Sequence, residues 1–207
     1  VGFEKMSAQM ASMAAVEMVN LGQFADFDAA LSSGTEKAKE LLNWTQALAV
    51  VAPFEEADVS RAFGMAQAFG FLATQYATTQ QAQAAGVITA QRLTEATLNW
   101  AAATGQAGSA ISRVTVIAGQ IKSLGKLMGG DSLQLKQMGI NLEQSIGQAL
   151  GKTTAQVIEL REQGKITAEV ALQALVRETE KYGGAAALMG DSIGGLLASL
   201  SDLSQIA

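Results

Sequence analysis

The sequence contains no cysteine and no histidine. Disulfides, thiolate nucleophiles, imidazole bases and the usual zinc sites are therefore excluded, and with them much common enzyme chemistry. Proline occurs once and aromatics make up 5% of the 207 residues, too few for the β-branched and aromatic runs of a sandwich or barrel. Charge is sparse at 16%, and no half of the chain is basic: residues 1–100 carry five Lys and Arg against ten Asp and Glu, and residues 101–207 carry nine of each. Nothing in that balance points to the phosphates of a nucleic acid. A bilayer-spanning run is missing as well. Residues 62–91 hold no charge, but glutamines and threonines recur through them, where a span needs roughly 20 predominantly apolar residues. A buried or partner-facing helix pair is the better reading of that stretch.

What the chain does have is alanine, glutamine, leucine and glycine, in patterns that favour helices. The class expected is all-α: a bundle of several short to medium helices joined by glycine turns, with room for one short extended segment near residues 22–34. Three stretches are expected. Residues 1–34 give an N-terminal helix and an irregular connection, 35–128 longer Ala/Gln-rich helices, and 129–207 a compact bundle of short glycine-punctuated helices that can share one domain with 35–128. The chain opens on Val1 without a secretory signal pattern, and is read as a piece of something longer.

The N-terminal helix places Met6, Met10, Met13, Val16 and Met18 at mostly helical spacing, a thioether-lined packing face. Gly22 and Gly34 then punctuate a connection anchored by Phe24 and Phe27. The next helix is expected to start with Thr35 as N-cap, to show Leu41, Leu42, Leu48 and Val51 on its apolar face, and to stop before Pro53. A further helix runs to about Gly70, two Ala-rich helices flank Gly86, and a long one from Ser109 ends at Gly129 and Gly130, with Asp131 capping its successor.

Residues 139–167 are built from good helix formers yet are cut at Gly139, Gly151 and Gly164. Each cut is followed within a few residues by a new N-cap: Asn141 with Gln144 three residues on, Thr153 with Gln156, and Thr167 with Glu169 in the first turn. Such short helices are marginal alone, so neighbours must hold them. Gly139, Gly151, Gly164 and Gly183 are the backbone positions expected to need positive φ, with Ile140 and Ile166 as hydrophobic anchors just after the turns.

Chemistry-bearing patterns are weak. The stretch from Thr154 to Glu178 can be laid on a helix-turn-helix whose recognition helix would offer Glu169, Gln173 and Arg177, an acidic residue near the bases. A carboxylate-based hydrolase would need a pair such as Glu55 with Glu56 or Glu159 with Glu162, at spacings typical of solvated helix faces. "GKTT" at Gly151–Thr154 lacks the upstream glycine of a phosphate loop, which would fall where Ile146 stands. No catalytic residue, cofactor or metal is implied.

The order of elements is more informative. "APF" at 52–54, "AAATG" at 101–105, "GKLMGGDSLQLKQMGI" at 125–140, "ALG" at 149–151, "GKITAEVALQAL" at 164–175, "YGGAA" at 182–186 and "SIGGLLASLSD" at 192–202 resemble the N-terminal conserved region of phage and prophage tail tape measure proteins. The resemblance covers roughly residues 35–202. Leu98 and Asn99 stand where such proteins usually have Gly-Asp, and the segment from Gly70 to Arg92 looks expanded. What the resemblance implies is a very long structural polypeptide that fills the tail tube lumen in the virion, sets tail length, and leaves through the tube during genome delivery. Its implied partners are tail assembly chaperones in the host cytoplasm, tail tube and tail tip proteins, and other copies of itself, with membrane contact only through other parts of the parent protein. This segment, folded back on itself by its glycines, is expected to be a docking or initiation head rather than the measuring rod.

Overall fold

The computed structural model describes residues 2–73, 75–76 and 78–192. Among them ten helices follow one another: α1 (Gly2–Asn20), α2 (Phe27–Val51), α3 (Glu56–Ala68), α4 (Thr79–Ala84), α5 (Ala90–Ala103), α6 (Ser109–Leu124), α7 (Gly129–Gln137), α8 (Leu142–Leu150), α9 (Thr154–Glu162) and α10 (Ala168–Glu180). Further helical turns occupy 185–192. The class is all-α; the β-type pairing among the described residues is an isolated antiparallel bridge between Lys126 and Thr167.

Local chemistry sets most boundaries. Thr78, Thr89, Asn141, Thr153 and Thr167 each accept a backbone N–H of the following first turn, closing α4, α5, α8, α9 and α10 at their N-termini. Thr153 and Gln156 satisfy each other's backbone N–H groups, at 3.3 and 2.9 Å. At α7 the C-terminal signal is doubled: the Gly139 N–H donates to the Lys136 carbonyl and the Ile140 N–H to the Leu135 carbonyl, at 3.0 and 2.9 Å. That pairing needs a left-handed residue, supplied by Gly139 at φ 85°, and it drives Ile140 against buried Leu135.

Expectations at residues 22–35 and 129–131 are corrected. The segment at 22–34 is not extended: the turn spans 21–26, Asp26 accepts the Ala29 N–H at 2.8 Å, and α2 runs unbroken for 25 residues. Thr35 lies inside that helix, its hydroxyl donating back to the Leu31 carbonyl, and the boundary drawn at 34/35 falls within α2. Gly34 marks no break because its role is interhelical: a Cβ there would stand 2.6 Å from the Ala11 carbonyl oxygen and 3.1 Å from the Ala15 Cβ, so α1 seats directly on its backbone. Likewise Gly129 and Gly130 open α7 instead of ending α6, which stops at Gly125 with φ 72°. Asp131 is not the cap residue; it sits in the first turn and accepts the Met128 N–H at 3.3 Å. The stretch at 62–91 holds the end of α3, a loop, the six-residue α4 and the first residues of α5, and α4 and α5 are the helices that flank Gly86.

The helices share a continuous core that reaches from Met10 to Ala186. Its largest fully buried side chains are Trp100, Phe63, Met10, Leu93 and Leu98, with Ile111, Ile121, Leu135, Ile140 and Ile146 extending it through α6, α7 and α8. Trp44 of α2 tilts onto Phe63 of α3 with ring centres 5.4 Å apart, a pairing worth about 1 kcal/mol beyond area burial. α10 is central: it packs on α5, α6 and α8 and buries Ala171, Leu172, Ala174, Leu175, Val176 and Thr179. At the other end α1 packs chiefly on α2, with Ala15, Met18 and Ala30 forming a small separate cluster near their turn.

Candidate functional site

The expected turn positions come first. Gly139, Gly151 and Gly164 have φ of 85°, 62° and 69°, and Ile140 and Ile166 are buried at 1% and 2% exposure. Gly183 is a correction: the left-handed residue is its neighbour Gly184, with φ 81°, while the Gly183 N–H closes a turn onto the Glu180 carbonyl. The "SIGGLLASLSD" motif lies, beyond Ser192, outside the described residues. These positions shape the chain and converge on no common pocket.

Two polar clusters hold the junctions between helices. Glu143, in the first turn of α8, accepts the Ser132 hydroxyl of α7 and the Arg161 guanidinium of α9 on the same oxygen. Its side chain is 6% exposed, so the carboxylate is a buried pin joining three short helices. Beside it, burial raises the Asp131 carboxyl above its usual range, partly offset by the Met128 N–H. The second cluster is bidentate: Arg92 Nε and Nη2 donate to the two carboxylate oxygens of Glu180 at 2.7 and 3.0 Å, tying α5 to α10. Sequence spacing signalled neither pair, because each joins residues from separate elements.

The proposed acidic pairs do not form dyads. Glu56 accepts from Gln46 and Glu159 from Gln163, while Glu55 and Glu162 face solvent. In α10, Gln173 donates to the Gly86 carbonyl at 2.6 Å and six of the thirteen residues are buried, so one face of the supposed recognition helix is committed to the core while Glu169 and Arg177 are exposed. No group of three or more Asp and Glu that could hold a metal comes together among the described residues, and none of their helices is long and apolar enough to cross a membrane.

The feature with open surface is a groove between α1 and α3. On one side stand Lys5, Gln9, Ser12, Val16 and Asn20, spaced three or four apart and hence on one face of α1, with Met13 at its edge. On the other, Ala57, Ser60, Gly64 and Ala68 present a small-residue face of α3, continued by Gly70, Phe71 and Leu72. Two cavities of about 890 and 450 Å³ occupy its length and meet at Ala68. Neither a family model nor a curated protein nor a solved structure matches this chain.

One end of the groove is clasped. The Glu17 carboxylate of α1 accepts the Ala73 N–H with both oxygens, at 2.9 and 2.8 Å. From the opposite side the Lys122 ammonium of α6 donates to the Gly70 carbonyl and lies 4.4 Å from the centre of the Phe71 ring. Burial pushes the Lys122 amine below its usual value, and the Glu17 charge works against that shift. Met13 and Val16 of the first helix and the segment from Gly64 to Leu72 thus meet along this groove. Chemically it offers apolar contact with charged groups at its rims.

Proposed function

We propose that the chain is the N-terminal conserved region of a tail tape measure protein, a structural component that sets tail length and fills the tube lumen during phage or prophage tail assembly and genome delivery. The observation that carries this reading is the ordered series of caps and turns from "APF" at 52–54 to "YGGAA" at 182–186. In the fold these motifs fall at element ends: Pro53 after α2, Gly105 after α5, Gly139 after α7, Gly151 after α8 and Gly164 before α10. A segment so divided is a head to be docked, and the rod lies elsewhere in the parent polypeptide. The α1–α3 groove is the surface we assign to a partner such as a tail assembly chaperone, because it is long, open and lined by apolar and small side chains.

The test is peptide mapping by mass spectrometry of purified particles from the induced prophage of the source organism. Peptides from residues 35–192 are expected within a much longer polypeptide of the assembled tail. Their recovery as a short free cytoplasmic protein would defeat the reading.

A further inference from the structure

We infer that α1 is a releasable strap: it leaves the body as a unit while α2–α10 stay folded, and the Glu17 clasp with the Gly34 seat sets how often it does so. The inference stands on the geometry of α1 and is independent of any role in a tail.

The first observation is how small most of the buried side chains of the helix are. Its described buried side chains are Met10, Ala11, Ala14, Ala15 and Met18, and three of the five are alanines with little area to remove from water. The second is its asymmetry. Against α2 it is seated closely, Ala11 and Ala15 lying on the Gly34 backbone, yet against α3 the two cavities stand where packed side chains would otherwise be. The third is the clasp, since the Glu17 carboxylate grips the Ala73 amide across the groove at 2.8 Å. A charged acceptor receiving that backbone N–H through both oxygens is a strong point contact on the α3 side, where α1 is otherwise loosely packed.

Most of the body's core closes without α1, which contributes Met10 and Ala11 to it. Trp44 stacks on Phe63, Thr45 receives the Ser60 hydroxyl at 3.3 Å, and Gln46 reaches Glu56, so the C-terminal half of α2 is fixed to α3 without it. Departure of α1 uncovers the strip of α2 formed by Ala30, Gly34 and Ala38 and joins it to the groove, giving a wider seat. The local stability of such elements spans a range below the global value, which is what makes separate opening measurable.

Hydrogen exchange read by mass spectrometry on the whole chain tests this with three variants. Gly34→Ala places a methyl 2.6 Å from the Ala11 carbonyl oxygen, where neighbouring backbone must move, although alanine favours α2 itself. Amides of residues 7–20 and of Ala73 are expected to exchange at least about tenfold faster, with those of α5, α6 and α10 unchanged within about twofold. Glu17→Gln should shift the same amides in the same direction by less. Gly64→Ala, whose methyl would meet nothing within 4 Å on the facing wall, should leave α1 protection as it is. Faster exchange of α1 together with α5, α6 and α10 in Gly34→Ala would show one cooperative unit and overturn the inference. Unaltered protection of α1 in both Gly34→Ala and Glu17→Gln would overturn it too.

Discussion

At the scale of the residue, buried polar groups carry the sharpest consequences. Glu143 has two donors and almost no water, so removing one leaves charge without compensation. Arg161→Met should cost about 3 kcal/mol in urea unfolding. Pairing it with Glu143→Met should recover much of that loss, because the strain lies in the orphaned carboxylate more than in the missing bridge. Asp131 makes a pH prediction. Its folded-state pKa is raised, so the folded protein holds the proton over a range where the unfolded chain has released it. Stability from this site is therefore greatest at low pH and declines as pH rises from about 4 through the raised value. Comparing wild type with Asp131→Asn by chemical denaturation at stepped pH should show the difference shrinking in favour of wild type only at the acid end.

At the scale of the element, the caps and the glycine stops were open to reading because their chemistry is local. Thr153 needs only Gln156, three residues away, and Gly139 needs only the carbonyls of the turn it ends. Gly164→Val, which forces a β-branched residue to φ 69°, should cost about 1–3 kcal/mol in thermal or urea unfolding. Gly34 deceived for the opposite reason. Its justification is a second helix pressed against it, and no neighbour in sequence announces that. Gly183 was misread by one residue, since either of two adjacent glycines could have taken the left-handed turn and only tertiary geometry selects Gly184. The true start of α2 can be checked through its cap: Asp26→Ala should lower stability by about 1 kcal/mol, whereas a helix beginning at Thr35 would leave that change neutral.

At the scale of the whole molecule, the helical class followed from composition, but the groove did not. It exists because α1 lies on α2 and stands off α3, an outcome of packing that periodicity along either helix does not encode. The sequence marked its walls only in part, through Met13 and Val16 on α1 and the missing charge beyond Ala62. The folded-back arrangement sets a dimension. A compact chain of this length has a radius of gyration of about 17 Å, whereas a continuous helix over residues 35–202 would extend to about 250 Å. Small-angle scattering of the monomer should return the first figure.

The central position of α10 also fixes an order of events during synthesis. It leaves the ribosome after α5, α6 and α8, whose faces it covers. Until residue 180 has emerged, those faces lack the buried side chains of α10, Leu172, Leu175 and Val176 among them, that complete the core. Residues 90–150 therefore wait as an incomplete bundle until α10 is made, which places any need for an escort at the ribosome, before the finished head exists.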